Sequence, residues 1–174
     1  LKRKNIKIYC GSQVDVQFLK KLINKYNKFD IIIDDGSHFP KHVIKTFDLL
    51  FPKLSNDGIY FVEDIQTSYN HYFGGNAFDL KYSNTQMNYF KSLTDSLNYQ
   101  EIANPFYNKK KFDGLINNIS FFHNMIVIKK GVNVVKSNLV LNNSYEDKRY
   151  KSRLVSKGNK VRYFFKYLIV FKLY

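Results

Sequence analysis

Residues 29–38 read FDIIIDDGSH: a short apolar run from Phe29 to Ile33 containing three isoleucines, then Asp34-Asp35-Gly36-Ser37-His38. A brief apolar run of β-branched residues is the pattern of a strand covered on both faces within a parallel sheet. Upstream, Asn5 to Cys10 (NIKIYC) alternates apolar and polar residues as a strand does, and Gly11-Ser12-Gln13 breaks it. Val14 to Tyr26 then repeats Phe18, Leu19, Leu22, Ile23 and Tyr26 at helical spacing. Downstream, Pro40 opens a second helix whose apolar face is Val43, Ile44, Phe47, Leu50 and Phe51, stopped near Pro52. A turn at Ser55-Asn56-Asp57-Gly58 leads to a third strand, Ile59 to Val62, followed by Glu63-Asp64. Strands alternating with helices imply right-handed crossovers and an α/β fold built on a parallel sheet.

Beyond Asp64, residues 66–75 are polar and aromatic and end in Gly74-Gly75, a loop placed to cover a site. Residues 83–98 read as a helix. Residues 119–122 and 125–130 read as two strands joined around His123-Asn124, a terminal hairpin. After Gly131 the chain turns rich in Asn, Lys and Ser, so the reading divides it into a domain, 1–131, and a tail, 132–174.

With 174 residues, 44% hydrophobic and 17% aromatic, the chain has enough apolar surface for one folded domain in spite of a net charge of +14. Half of that charge lies beyond residue 145, where nine Lys and Arg face only Glu146 and Asp147. Such a tail suits nucleic acid or an anionic membrane, or is simply solvated. No zinc-finger spacing or RNA-recognition aromatic signature is present, which disfavours nucleic acid. The segment Val161–Tyr174 mixes aromatic and aliphatic residues with Arg162, Lys166 and Lys172; it suits packing on its own domain, on a second subunit in a homo-oligomer, or on an anionic bilayer as a peripheral contact. Cys10 is the single cysteine and no secretory leader is recognisable, so the expected location is cytoplasmic, with membrane-peripheral contact through the tail as the variant.

The chemistry lies in two acidic pairs, Asp34-Asp35 and Glu63-Asp64, each directly after an apolar strand. In a parallel α/β sheet, ligands bind beyond the carboxyl ends of the strands, so four carboxylates would meet at one edge. Unpaired they repel, and close approach requires a cation or a basic partner. Oxygen ligands suit Mg²⁺ or Mn²⁺ better than zinc. Acids that merely cap helices or line a solvated rim are the plainer explanation of a single pair; two pairs on successive strands favour a site. His38, three residues after Asp35, reads as a general base, a metal ligand or a cap. His38 and His42 have the spacing of a zinc pair, but the Glu of the HExxH pattern is absent between them. His71 and His123 read as loop and hairpin residues.

FDIIIDDGSH, FDLLFPKLSNDGIYFVEDIQTSY and HYFGGN, with GSQVDVQFLKKL before them and ISFFHNMIVIKKG after, resemble the metal-dependent macrolide-sugar O-methyltransferases of the mycinamicin and tylosin type, class I S-adenosylmethionine enzymes. The resemblance covers about residues 5 to 131. It implies a Rossmann-like class I methyltransferase sheet, with Asp35, Glu63 and Asp64 holding Mg²⁺ (or Mn²⁺), His38 as the base, and Gln13 and Asp34 as contacts of S-adenosylmethionine, Gln13 near the adenine. The implied reaction is methyl transfer to a sugar hydroxyl. By that resemblance the metal would hold adjacent substrate oxygens, His38 would remove the proton, and the alkoxide would attack the sulfonium methyl in line. The implied acceptor is a glycosyl-containing small molecule, or a surface-polysaccharide precursor in view of the Lys/Asn-rich composition.

The class I pattern opens with a strand, a glycine-rich turn and an acid after the second strand. Here the match begins at what reads as the third strand, and the eight glycines contain no GxGxxG. The expectation is therefore the C-terminal part of the fold, as a fragment of a longer enzyme or a degenerate remnant, with an unpaired sheet edge and an uncovered apolar face. Two other functions stay open: a non-catalytic remnant acting through its basic tail, and an iron-dependent hydroxylase of similar fold, whose chemistry favours two histidines and one carboxylate.

Overall fold

The computed structural model describes residues 5–135 and 137. The basic tail from residue 138 on, with its segment Val161–Tyr174, lies outside the described residues. The described residues fall into two units, one of residues 5–99 and 110–134, the other of residues 100–109 with 135 and 137. In the second unit, Asn104 closes a short turn by accepting from the amide of Phe106 (2.9 Å), and Glu101 Oε1 accepts from the amide of Ser137 (2.7 Å). No helix among the described residues is long and apolar enough to cross a membrane.

The first unit carries the fold. Helix α1, Val16–Tyr26, starts at Asp15, whose carboxylate accepts from the amides of Gln17 and Phe18, a cap worth about 1 kcal/mol. It ends at Asn27, where φ is 60°. Strand β1, Phe29–Asp34, is followed by helix α2, Pro40–Leu50, with Pro40 in its first turn, where the missing amide proton is not needed. Strand β2, Leu54–Glu63, runs parallel to β1, from Phe29 opposite Leu54 to Asp34 opposite Val62. Between Leu54 and Ile59 the register jumps: the expected turn at 55–58 is a bulge within the strand, tied to β1 by a 2.8 Å bond from the Ser55 hydroxyl to Asp30. After helix α3, Gln86–Leu97, come strands β3, Ile116–Phe122, and β4, Met125–Lys130, an antiparallel hairpin turning at Asn124 (φ 57°). The sheet order is β1-β2-β4-β3, with β4 antiparallel to β2.

One face of this sheet forms the core. Tyr60, Val62, Ile126 and Ile128 point toward α2 and α3, where Phe47 is wholly buried. Phe47 stacks on Phe51 (4.7 Å between centroids) and meets Tyr60, Phe90 and Phe112 edge-on at 5.0 to 5.2 Å. Each such ring contributes about 1.5–3 kcal/mol by burial.

Two expectations are corrected. Residues 5–10 form no strand among the described residues: Ile6 is 55% and Ile8 87% exposed, and alternation makes a strand only where a neighbouring edge accepts its hydrogen bonds. Strand β1 is covered on one face, not two. Ile32 and Asp34 point inward, whereas Ile31 and Ile33 are each 60% exposed, because α2 and α3 both pack on the other side. The apolar run therefore marks an edge strand whose outer face is open among the described residues.

Candidate active site

Parallel pairing brings the ends of β1 and β2 level, so Asp35 and Asp64 leave the sheet side by side. One oxygen from each, and one imidazole nitrogen of His38, all lie within 4.8 Å of one another. His38 Nε2 stands 3.6 Å from Asp64 Oδ2 and 3.9 Å from Asp35 Oδ1. The two carboxylates are open to solvent, about 60% and 48% for Asp35 and Asp64, while the imidazole is only 21% exposed. His38 Nδ1 is buried with no hydrogen-bond partner among the described residues.

Both His38 (φ 59°) and Asp64 (φ 53°) adopt left-handed backbone, a conformation that costs a non-glycine residue about 1–3 kcal/mol and clusters at functional sites. Asp64 opens the 3₁₀ turn Ile65–Tyr69, whose Thr67 hydroxyl lies 3.0 Å from the His38 carbonyl and 2.8 Å from that of Asp64. The loop after it is pinned at Phe39, whose ring packs 5.5 Å from Phe73 and 5.4 Å from His42.

Gln13 organises the other wall. Its amide nitrogen donates to Asp34 Oδ1 and Thr46 Oγ1, each at 3.2 Å, and its oxygen accepts from the amide of Ser37 (2.5 Å). A Cβ at Gly36 would overlap the Gln13 amide, so any larger residue there displaces the end of the Gln13 side chain. His42 is not part of the cluster among the described residues; its Nδ1 pairs with the Ser37 hydroxyl at 2.7 Å.

The residues expected at the site divide accordingly. Asp35, His38 and Asp64 come together. Glu63 does not join that cluster: strand alternation sets it beside Met125, on the face opposite Tyr60 and Val62. Asp34 is turned inward, with Oδ1 taken by Gln13 and Oδ2 by the Tyr60 hydroxyl at 3.1 Å, so it meets a cofactor only if those bonds are exchanged. Burial raises its pKa above the ordinary carboxylate value, against the lowering effect of the Tyr60 and Gln13 bonds, and burial likewise pushes the Tyr60 hydroxyl up. Thr67, Gln86 and the Ser37–His42 pair were not legible as site residues. Their polar side chains sit on segments whose pattern gives only turn or helix, and their partners are remote in sequence.

Mycinamicin VI 2''-O-methyltransferase of Micromonospora griseorubida is 37% identical over 129 residues, 74% of this chain and 32% of that protein. Demethylmacrocin O-methyltransferase of Streptomyces fradiae is 40% identical over 128 residues, 71% of this chain and 31% of its own length. Among solved structures, the MycE methyltransferase of the mycinamycin biosynthetic pathway, in complex with Mg, SAH and mycinamycin VI, superposes with a TM-score of 0.75 at 31% identity, over 87% of this chain and 38% of that one. No family model matches. The fold is thus of the class I methyltransferase type, and the homologues are macrolide-sugar O-methyltransferases. The chain spans about a third of the length of the curated relatives it matches.

Proposed function

We propose, from its homology to the macrolide-sugar O-methyltransferases, that this chain carries the metal-and-base part of a Mg²⁺-dependent enzyme that methylates a sugar hydroxyl from S-adenosylmethionine. The observation that carries the reading is the convergence of Asp35, His38 and Asp64 within 4.8 Å at the carboxyl ends of two parallel strands. Two open carboxylates on rigid strand ends fit a hard divalent cation, which needs only one or two protein carboxylates and completes its shell with water and substrate oxygens. The relatives named for mycinamicin and demethylmacrocin act on glycosylated small molecules, and MycE was solved with Mg and SAH.

In this reading Asp35 and Asp64 would hold the cation, and Glu63, on the other face of its strand, would act on it only through its charge. Bound there, the cation supplies Lewis-acid polarisation that lowers the pKa of a sugar hydroxyl, and S-adenosylmethionine supplies the methyl group. His38, through Nε2 beside the carboxylates, accepts the hydroxyl proton. Gln13 shapes the wall at Ser37 and Asp34 against which the cofactor lies. The acceptor is a glycosyl-containing molecule, and a surface-polysaccharide precursor is its narrower form.

The test is methyl transfer from radiolabelled S-adenosylmethionine to glycosylated acceptors by the full-length enzyme of which this chain is the metal-and-base part, with and without EDTA. The reading expects transfer that EDTA abolishes and Mg²⁺ restores, and that Asp64→Asn reduces at least tenfold. Transfer indifferent to EDTA would overturn the metal's part, and hydroxylation of the same acceptors with Fe²⁺ would replace the reaction.

A further inference from the structure

The two strained residues of the site are held by one hydroxyl. Thr67 Oγ1 lies between the His38 carbonyl (3.0 Å) and the Asp64 carbonyl (2.8 Å) and also accepts from Gln86 Nε2 at 2.9 Å. A threonine hydroxyl has one proton to give, and two carbonyls compete for it. The amide of Thr67 already serves the Asp64 carbonyl at 3.2 Å, and Gln86 Nε2 approaches the same oxygen at 3.4 Å. The Asp64 carbonyl is therefore satisfied without the hydroxyl, which leaves the Thr67 proton for His38. Gln86 is fully buried in the first turn of α3, and its neighbour Met87 donates its amide to Ser68 Oγ at 3.1 Å. The start of α3 is thus docked on the turn that follows Asp64.

We propose that Thr67, backed by Gln86, is a positioning residue: its hydroxyl locks the left-handed backbones of His38 and Asp64 to each other and so sets the spacing of imidazole and carboxylate that receives the cation. This deepens the proposed function and rests on it. The strain supports the assignment, since left-handed conformations of His and Asp persist only where neighbours over-determine them, and Thr67 is the one side chain among the described residues bonded to the backbone of both. Neither residue touches substrate or metal in this assignment.

The experiment is Mn²⁺ titration of the protein by calorimetry, with thermal unfolding in parallel, for wild type, Thr67→Val, Thr67→Ser, Gln86→Met and Asp64→Asn. Valine keeps the shape and removes the proton; serine keeps the proton. Thr67→Val is expected to weaken Mn²⁺ binding about tenfold, Thr67→Ser to stay within about threefold of wild type, and Gln86→Met to fall between them. A purely structural threonine would move the unfolding temperature and leave Mn²⁺ affinity unchanged in the folded Thr67→Val protein, and that result overturns the proposal. If Thr67→Val does not fold, the Thr67→Ser and Gln86→Met affinities decide by the same ordering. A wild type that binds Mn²⁺ no better than Asp64→Asn overturns the metal site itself, and this proposal with it.

Discussion

His38, in the loop after β1, and Asp64, directly after β2, both adopt left-handed backbone, with Nε2 of one 3.6 Å from Oδ2 of the other. The site is built at the cost of local strain, and that cost is measurable. Glycine tolerates the conformation of Asp64 and alanine does not, so Asp64→Gly is expected to be more stable than Asp64→Ala by about 1 kcal/mol. Both lose the carboxylate equally, which isolates the backbone term. Urea unfolding checks it; an alanine variant as stable as the glycine one would mean that residue 64 is unstrained.

His38→Ala separates base from ligand. As a base, its loss lowers turnover by roughly 10²- to 10⁴-fold while Mn²⁺ affinity changes little. Turnover and calorimetry on the same preparation give both numbers. A parallel collapse of metal affinity would make His38 a ligand, and near-normal turnover would remove it from the chemistry.

Asp34 links the site to the stability of the fold. Its folded pKa is raised by burial, so the folded state binds its proton more tightly than the unfolded state does. Stability contributed by this group is full below the ordinary carboxylate value of about 3.9 and declines as pH rises from there through the raised folded value. Asp34→Asn, which is uncharged at every pH, is expected to flatten that decline. Urea midpoints measured from pH 3.5 upward test this; an unchanged slope would assign the pH dependence to other groups.

Gly75 closes the loop that carries Thr67. A Cβ there would overlap the Thr67 carbonyl and come within 2.5 Å of the Ser68 backbone, so Gly75→Ala must shift the turn. The expected result is a loss of about 1–3 kcal/mol together with weaker Mn²⁺ binding. An alanine variant with wild-type stability and affinity would show that the turn moves without consequence for the site.

The order of strands and helices from 16 to 63 was readable because apolar spacing changes between helix and strand periods there, and the hairpin was readable from two β-branched runs about Asn124. Strand ends brought two acidic pairs and His38 to one edge; that Glu63 stands aside and Asp34 turns inward was not readable there, because it depends on strand alternation and on the bonds to Gln13 and Tyr60. What was not readable depended on three-dimensional neighbours. The alternation at Asn5–Cys10 matched a strand, yet residues 5–10 meet no sheet edge among the described residues. The isoleucines of β1 matched a doubly covered strand, but Ile31 and Ile33 face outward because α2 and α3 lie on the other side. Thr67 and Gln86 gave no pattern at all, since a hydroxyl that bridges two carbonyls has no periodicity.

The central claim is a divalent cation held at the ends of β1 and β2. Calorimetric titration of Mn²⁺ or Mg²⁺ into the protein and into Asp35→Asn, Glu63→Gln and Asp64→Asn tests it most directly. The account predicts one saturable site, weakened at least tenfold by Asp35→Asn and by Asp64→Asn, and changed less by Glu63→Gln, whose carboxylate stands outside the Asp35–His38–Asp64 cluster. Affinity unchanged across all three variants would contradict it.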